Sequence, residues 1–390
     1  MWLSDEQANG LVAKHGSPLF VYSKKLLQER AEELVGLRMP FGHTVRYAVK
    51  ANPHPDIIKL FDETGLHFDA SSSYEAEKLL GIGVAGSKIS LASQQSAHNL
   101  PELLAAGVRY VATSTRQLEL FSEATKPGSR LALRVNPAFG DGHSNRVTTG
   151  GANSSFGLWH EYVADALEFA KRKGLIVDRL LVHIGCGVDP SLWDATTKSA
   201  LNIARQMPDV VTLDMGGGYK VARTSGEVET DMEQIGGVFA DRLRQFAVET
   251  GRNLKLEIEP GTWLVTHAGI LLAEVDDIVD TGKDGHSFLR LNTGMNDIIR
   301  PAMYGSQHKI EVLNESAEQV EYVVVGHNCE TSDMLTPVPG DPEKIAPRRL
   351  RKAAIGDLVA IADTGAYCAA MSTKGYNAFP SAKEILIPGA

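Results

Sequence analysis

Residues 25–265 alternate short apolar segments with amphipathic segments, a repetition that restricts this part of the chain to a parallel sheet. Predicted strands cover 44–49, 88–91, 110–113, 130–135, 179–184, 212–215 and 255–258. Helical patterns between them cover 55–64, 73–80, 99–105, 160–173 and 236–250. At this length a (β/α)8 barrel is the leading solution, with a doubly wound sheet as the alternative. A dinucleotide fold places its glycine-rich turn after the first strand, whereas the glycine triplet here comes late, which favours the barrel.

After residue 266 the pattern changes to strands separated by Gly, Pro and Asp turns. These predicted strands cover 269–281, 287–292, 309–313, 319–325, 357–361 and 382–386, and the proline-rich stretch 337–347 is predicted to be a loop. The apolar segment 19–22 lies outside the barrel repeat and is expected to pair with this second domain. The predicted organisation is therefore a barrel over 25–265 and a β-rich domain formed by 1–24 and 266–390.

Composition limits the partners and the compartment. The net charge of −9, without a basic cluster, argues against nucleic acid and against anionic membranes. Three cysteines, at 186, 329 and 368, show neither a metal-binding spacing nor an even-numbered disulfide framework. No basic and apolar leader is visible at the N-terminus, and no apolar run has the length of a membrane span. We therefore expect a cytoplasmic protein that binds small molecules and no metal.

Four of the predicted barrel strands end in a polar side chain, Lys50, Arg134, His183 or Glu259, and Asp69 follows Phe68 at a fifth strand end of the same kind. The carboxyl ends of barrel strands meet at one pole, where barrel enzymes build their sites. Taken singly, Lys50 is equally well explained as a surface lysine. Each of the others is better explained alone by a structural role: a rim salt bridge for Asp69 and Arg134, a hydrogen-bonding histidine for His183 and a helix cap for Glu259. Together they predict one polar site, in which a lysine of depressed pKa could form a Schiff base with an aldehyde.

The glycine triplet Gly216, Gly217 and Gly218 follows a predicted strand, and its backbone N–H groups could wrap a phosphate. A flexible turn is the alternative. A carboxylate at Glu259 could pair with a protonated pyridine nitrogen, and the imidazole of His183 could stack on a flat ring. Pyridoxal 5′-phosphate has every group that these residues would address.

The motifs around these residues resemble those of the pyridoxal-phosphate decarboxylases of the ornithine/diaminopimelate type, a fold-type III family. The matching segments are 47–52, 183–187, 216–218, 259–261, 329–333, 363–367 and 376–377. They extend over roughly residues 17 to 380, nearly the whole chain. Two further features, Glu330 directly after Cys329 and the segment 300–304, are closer to the diaminopimelate branch. The resemblance implies a homodimer whose active sites are shared between barrel and β domain.

The resemblance also implies a role for each matching residue. Lys50 would be the Schiff-base lysine, Glu259 the partner of the pyridine nitrogen, and His183 the residue that stacks on the ring. The cofactor-binding residues implied are Lys50, Asp69, Arg134, His183, Cys186, Gly216, Gly217, Gly218, Glu259, Gly261 and Tyr367. Cys329, contributed by the neighbouring subunit, would return a proton to the carbanion after CO2 leaves. The substrate contacts implied are Arg300, Tyr304, Cys329, Glu330, Asp333 and Tyr367.

Three positions depart from the family's pattern. Thr262 stands where Glu-Pro-Gly usually continues with Arg, Cys186 stands in place of Ser, and Ser155 in place of Lys. An arginine makes a bidentate contact with a carboxylate that threonine cannot reproduce. These departures predict a decarboxylase for another diamino or carboxylated amino acid in a specialised pathway, such as siderophore or antibiotic biosynthesis. The alternative is a meso-diaminopimelate decarboxylase of lysine biosynthesis.

Two other classes of protein could have such a sequence. One is a different enzyme that also combines a pyridoxal-phosphate barrel with a β domain, and the other is a homologue that retains the fold without activity. An enzyme of the alanine-racemase type pairs the pyridine nitrogen with arginine, so Glu259 counts against it. A non-catalytic homologue that binds the cofactor would not need Lys50, Glu259 and Cys329 together. Both remain as alternatives at the level of the sequence.

Overall fold

A computed structural model describes residues 1–138 and 150–389 and contains a closed parallel barrel and a separate, mostly antiparallel sheet. In the barrel each strand pairs with the next in chain order, until the last strand, Lys255–Ile258, pairs with the first, His43–Ala48. The eight barrel strands among the described residues are His43–Ala48, His67–Ala70, Ile89–Leu91, Arg109–Ala112, Arg130–Asn136, Ile176–Leu181, Thr212–Asp214 and Lys255–Ile258. The short strand Leu158–Trp159 pairs beside Arg130–Asn136. The barrel prediction is confirmed.

Helices alternate with these strands, and most of them begin at a residue whose side-chain oxygen accepts a hydrogen bond from the first turn. Ser23, Ser72, Ser114, Asp189 and Asp231 are caps of this kind. The helices associated with the barrel are Lys24–Val35, Pro55–Glu63, Ser73–Ile82, Leu100–Ala105, Thr115–Ala124, Val163–Arg172, Pro190–Arg205, Met232–Thr250 and Thr262–Val265. Outside it lie Asp5–His15 and Arg300–Tyr304. Single 3₁₀ turns cover Val49–Ala51, Gly86–Lys88, His160–Tyr162, Thr266–Ala268, Ala369–Met371 and Tyr376–Ala378.

The second sheet combines the N-terminal strand with the C-terminal part of the chain. Its strands are Leu19–Ser23, Gly269–Asp280, Ser287–Leu291, Ile310–Leu313, Gln319–Val325, Arg348–Arg351, Leu358–Ala362 and Lys383–Ile387. Leu19–Ser23 lies antiparallel to Gly269–Asp280 and parallel to Lys383–Ile387. The predicted completion of the β domain by an N-terminal strand is therefore confirmed. The exact division of the chain at residues 24/25 and 265/266 stays a prediction.

The prediction of a loop over 337–347 is wrong, because this stretch forms a hairpin. Strands Pro337–Val338 and Asp341–Ile345 pair antiparallel around Gly340, whose φ of 77° suits a glycine turn. A two-stranded sheet has only edge strands, and edge strands tolerate a proline that cannot donate a hydrogen bond.

The barrel interior contains a buried ion network. Arg46 of the first strand makes a bidentate contact with Glu257 of the last strand, with both N–O distances at 2.9 Å. Arg179 binds the same carboxylate at 2.5 Å and also contacts the hydroxyl of Ser90. Glu257 thus connects three strands, and the two guanidinium groups hold the pKa of its carboxyl far below the usual value against the effect of burial. The pole where the strands end, above this network, carries the candidate site.

Candidate active site

Lys50 lies in the 3₁₀ turn that follows the first barrel strand, in a recess formed with Asp69, His183, Glu259 and Tyr367. Its side chain is accessible to solvent inside this recess. Burial would lower the pKa of Lys50, but Tyr367 and Asp69 outweigh that effect and raise it. In the protein alone the pKa of Lys50 is therefore raised rather than depressed, because Tyr367, Asp69 and Glu259 favour the charged amine.

Three carboxyl groups meet at the base of this Lys50 recess: Asp69, Asp214 and Glu259. Burial and the neighbouring Asp214 and Asp69 raise the pKa of Glu259 well above its usual value. Burial raises the pKa of Asp214 to about 6 despite Arg179. The Oε1 atom of Glu259 and the Oδ1 atom of Asp69 are buried without a hydrogen-bond partner in the described structure. Such a group of acids is satisfied by a cationic N–H donor, which is what a protonated pyridine ring presents.

His183 lies just beyond the barrel strand Ile176–Leu181 and is held as a neutral imidazole. The N–H of Gly217 donates to His183 Nδ1 at 3.2 Å. Burial lowers the pKa of His183 well below its usual value, and Arg134 and Lys50 lower it further. A neutral, fixed imidazole is suited to stacking on a flat ring.

The glycine triplet packs tightly against both neighbouring strand ends. A Cβ at Gly216 would lie 2.6 Å from His183 Nδ1, and one at Gly217 would lie 2.4 Å from the carbonyl oxygen of Glu259. At Gly218 it would overlap the carbonyl of Gly185. The N–H groups of Gly216 and Gly217 already donate to Asp214 and His183. The triplet therefore positions other site residues, and a phosphate bound there would need further donors.

Tyr367 connects the β domain to the Lys50 turn. It adopts a left-handed conformation, with φ of 57°, and its N–H donates to the carbonyl of Ala51 at 2.8 Å. Asn52 Nδ2 donates to Gly365 O at 3.0 Å. A Cβ at Gly261 would lie 3.4 Å from the hydroxyl of Tyr367. The family-matching segment 363–367 thus contacts the turn that carries Lys50.

Arg134 and Cys186 lie at the edge of the recess. Arg134 is inside its strand, two residues before the end at Asn136, rather than closing it as predicted. Its guanidinium lies 4.9 Å from the ring centroid of Phe156, and burial lowers its pKa although Glu259 and Asp69 act in the opposite direction. Cys186 is partly buried, and a Cβ at Gly218 would approach its Cα to 3.0 Å.

The predicted substrate contacts divide into two groups. Arg300 and Tyr304 belong to the short helix Arg300–Tyr304, with the guanidinium 5.9 Å from the Tyr304 ring. The charge of Arg300 acts on Tyr367, so this part of the β domain reaches the recess.

Cys329 and Glu330 are exposed on a loop of the β domain, and the structure does not bring them to Lys50. The N–H of Cys329 donates to Asn377 Oδ1 at 2.8 Å, and Cys329 and Glu330 act electrostatically on Tyr376. Asp333 is buried and accepts hydrogen bonds from Met295 N and from Asn328. This network gives Asp333 a role in supporting the loop, and its contact with substrate stays a prediction.

The sequence analysis did not identify Asp214, which acts on Glu259, or Arg223 and His308, which interact electrostatically with Arg300. Asp214 ends a barrel strand directly before the glycine triplet, so the pattern that identified Glu259 could have found it. Arg223 and His308 come from a loop and from the β domain, and no strand-end pattern marks them.

Comparison with known proteins places the chain in a family. Residues 27–266 match the pyridoxal binding domain model of the pyridoxal-dependent decarboxylases. The chain therefore belongs to the pyridoxal-dependent decarboxylase family, and it is a pyridoxal-phosphate-dependent carboxy-lyase acting on an amino acid. Its relatives include the diaminopimelate decarboxylase of Streptomyces coelicolor, 34% identical over 389 residues that cover 97% of this chain and 86% of the relative. The enzyme of that name from Escherichia coli K12 is 32% identical, covering 98% and 92%.

Solved structures agree with this assignment. A crystal structure of diaminopimelate decarboxylase superposes with a TM-score of 0.89 at 32% identity, covering 98% of this chain and 92% of that one. The Helicobacter pylori enzyme, solved with L-lysine, shares the fold with a TM-score of 0.87 at 23% identity. The predicted resemblance to the diaminopimelate branch is confirmed. The relatives give no support to a specialised-pathway substrate and favour the alternative.

Proposed function

We propose that this enzyme removes one carboxyl group from meso-diaminopimelate and forms L-lysine. The observation that carries the proposal is similarity over nearly the full chain, at 29–34% identity, to several relatives named diaminopimelate decarboxylase. The charges around Lys50 are consistent with this substrate, because Arg300 interacts electrostatically with Tyr367 and Tyr367 with Lys50. A substrate with a reacting amine at one end and a carboxylate at the other could contact both.

We assign the predicted roles to the residues of the recess. Lys50 would hold pyridoxal phosphate, which supplies an electron sink for the bond to the departing carboxyl group. The acids Glu259, Asp214 and Asp69 would bind the protonated ring nitrogen, and their unpartnered oxygens support this assignment. His183 would hold the ring from one face, and Tyr367 and the glycine triplet would lie near the phosphate.

Cys329 would act as the acid that protonates the α-carbon. Its thiol is exposed and lies on the β domain, where its neighbours among the described residues are Asn377, Tyr376 and Glu330. Cys329 is exposed and is not among the groups that act on Lys50 of its own chain, which supports a homodimer in which each Cys329 loop completes the partner's site. The three free cysteines support the cytoplasm as the compartment.

The purified holoenzyme tests the substrate assignment directly. Release of CO2 and formation of lysine are measured with meso-diaminopimelate, its LL and DD isomers, ornithine, arginine and lysine. We expect meso-diaminopimelate to be turned over with a kcat/KM at least about 100-fold above the monocarboxylic amino acids, because a polar site discriminates strongly against a missing partner. Faster turnover of any monocarboxylic amino acid would contradict the proposal.

A further inference from the structure

Two guanidinium groups, those of Arg223 and Arg300, approach each other beside the Lys50 recess. Burial and the charge of Arg300 together lower the pKa of Arg223 to about 9, although Glu227 and Asp363 act in the opposite direction. Both guanidinium groups also lower the pKa of His308 and act on the buried Cys368. Like charges gathered in this way are unfavourable unless an anion joins them.

Glu227 and Asp363 act favourably on Arg223 from a distance, but no carboxylate of the described residues lies within ion-pair contact of either guanidinium. Across residues 1–138 and 150–389, neither guanidinium forms an ion pair, and the Nε atoms of Arg223 and Arg300 are buried without acceptors. The Nε2 atom of His308 and the hydroxyl of Thr364, both on buried residues, are also unpartnered. In contrast, both guanidinium groups of the barrel interior bind Glu257. Arg46 and Arg179 thus share a carboxylate of the chain, whereas Arg223 and Arg300 have none in contact. This difference indicates that a ligand supplies a carboxylate to Arg223 and Arg300.

The position of Arg223 links it to one departure from the family's pattern. Its Nη2 donates to Thr266 Oγ1 at 3.3 Å, and the hydroxyl of Thr266 donates to the carbonyl of Thr262 at 2.7 Å. Thr262 stands where the pattern has an arginine. The loop after the glycine triplet therefore places the guanidinium of Arg223 next to the short helix Thr262–Val265, which itself lacks the arginine of the family's pattern.

The pair also lies on the appropriate side of the recess. The charges of Lys50 and Arg300 both act on Tyr367, so the amine and the guanidinium of Arg300 lie near the same tyrosine. A ligand that reacts at Lys50 and extends past Tyr367 would present its far end to Arg223 and Arg300.

We propose that Arg223, acting with Arg300, binds the substrate carboxylate remote from the reacting carbon, in the role of the arginine that position 262 lacks. This inference rests on the proposed function, since it concerns the same site and a substrate with two carboxylates. Arg223 is then a specificity-determining residue of this chain.

Ligand binding to the holoenzyme tests the inference without turnover of the substrate. L-lysine retains the remote carboxylate of diaminopimelate, and 1,5-diaminopentane is the same molecule without it. We expect Arg223→Gln to weaken L-lysine binding by about 10–100-fold, the effect of losing a hydrogen bond to a charged group. The affinity for 1,5-diaminopentane should stay the same. Arg223→Lys should show an intermediate loss, and Arg244→Gln, an exposed arginine paired with Asp241, should show none.

Two results would overturn the inference. One is an equal loss of affinity for both ligands, which indicates general damage to the site. The other is weaker binding of pyridoxal phosphate with an unchanged preference for L-lysine over the diamine, which would place Arg223 on the cofactor phosphate. If the wild type failed to turn over meso-diaminopimelate, the proposed function would fail. The binding measurements with L-lysine and 1,5-diaminopentane would still show independently whether Arg223 contacts the remote carboxylate.

A relocation experiment addresses the link to position 262. In the Arg223→Gln background, Thr262→Arg should restore at least about a tenth of the lost affinity for L-lysine, because it returns a guanidinium to the same helix. A double variant that folds and binds cofactor but shows no recovery would contradict the idea that the two positions serve one site.

Discussion

The N–H of Tyr367 donates to the carbonyl of Ala51 at 2.8 Å, so a residue of the C-terminal domain is fixed beside the turn that carries Lys50. The contact joins parts of the chain that are far apart in sequence. As a consequence, the surroundings of the lysine amine depend on the β domain as well as on the barrel. The barrel alone would not reproduce this site.

Replacement of the lysine tests the central assignment. Lys50→Ala should reduce turnover by more than about 10³-fold, because no other amine in the recess can replace it as the covalent group. The variant should also lose the visible absorbance of bound cofactor after dialysis. Lys59→Ala removes an exposed lysine that pairs only loosely with Asp56 and should keep both properties. A dialysed Lys50→Ala protein that retained the absorbance band would refute the assignment.

Mixing two inactive variants tests whether the active sites are shared. If Cys329 acts in the partner's site, Lys50→Ala and Cys329→Ala subunits together form heterodimers with one intact site. After subunit exchange, activity should return to about a quarter of the wild-type value, since half of the dimers then have one working site. The control is a Lys50→Ala/Cys329→Ala double variant, which should restore nothing to either single variant. Absence of recovery despite demonstrated exchange would place both residues in one subunit's site.

A pair of glycine substitutions tests the packing of the triplet. Gly217→Ala places a methyl group against the carbonyl of Glu259 and should destabilise the protein by about 1–3 kcal/mol, with weaker cofactor binding. The matched control is Gly237→Ala, on helix Met232–Thr250, where a Cβ has no neighbour within 4 Å. That substitution should leave cofactor binding unchanged and stabilise the helix by about 0.5–1 kcal/mol. Thermal unfolding and cofactor titration distinguish the two, and equal behaviour would show that the triplet tolerates side chains.

His267 should make stability depend on pH. Its Nδ1 lies 2.6 Å from Asp363 and its Nε2 lies 2.9 Å from Glu229. Burial would lower the pKa of His267, but these two carboxylates outweigh it and raise the pKa to about 9. A raised pKa means that the protonated form stabilises the fold fully below about pH 6.5 and that this contribution is lost as the pH rises through about 9.

The difference in unfolding free energy between wild type and His267→Gln should therefore be largest near pH 6, at about 2–3 kcal/mol, and smaller at pH 10. Denaturation of both proteins at the two pH values measures it. A His267→Gln effect that grew at high pH would contradict the assigned protonation.

The barrel and most of the recess could be predicted because the relevant signals are local. Apolar runs that end in Lys50, Asp69, His183 or Glu259 identify both a barrel strand and the end of the barrel at which that polar residue lies. The hairpin over 337–347 could not be predicted in this way, because prolines usually indicate a loop and are tolerated in a strand mainly at the edge of a sheet. Arg223 was missed for another reason. Its significance depends on Arg300 and Thr266, which only the folded chain brings near it.

The pKa of Lys50 illustrates a second limit. A lysine after an apolar strand suggests an apolar environment, yet the groups that determine its charge, Asp69 and Tyr367, come from another strand and another domain. Sequence spacing gives the location of a group along its own strand. It does not give the balance of charges contributed by neighbours.

The ion network inside the barrel has a consequence for how the chain is completed during synthesis. Arg46 belongs to the first barrel strand, whereas its partner Glu257 belongs to the last. A nascent chain that lacked the final strand would have to bury Arg46 and Arg179 without their shared counter-charge, which costs several kcal/mol. The incomplete barrel is therefore disfavoured, and the pairing of the first and last strands stabilises the barrel only once the whole domain has been synthesised.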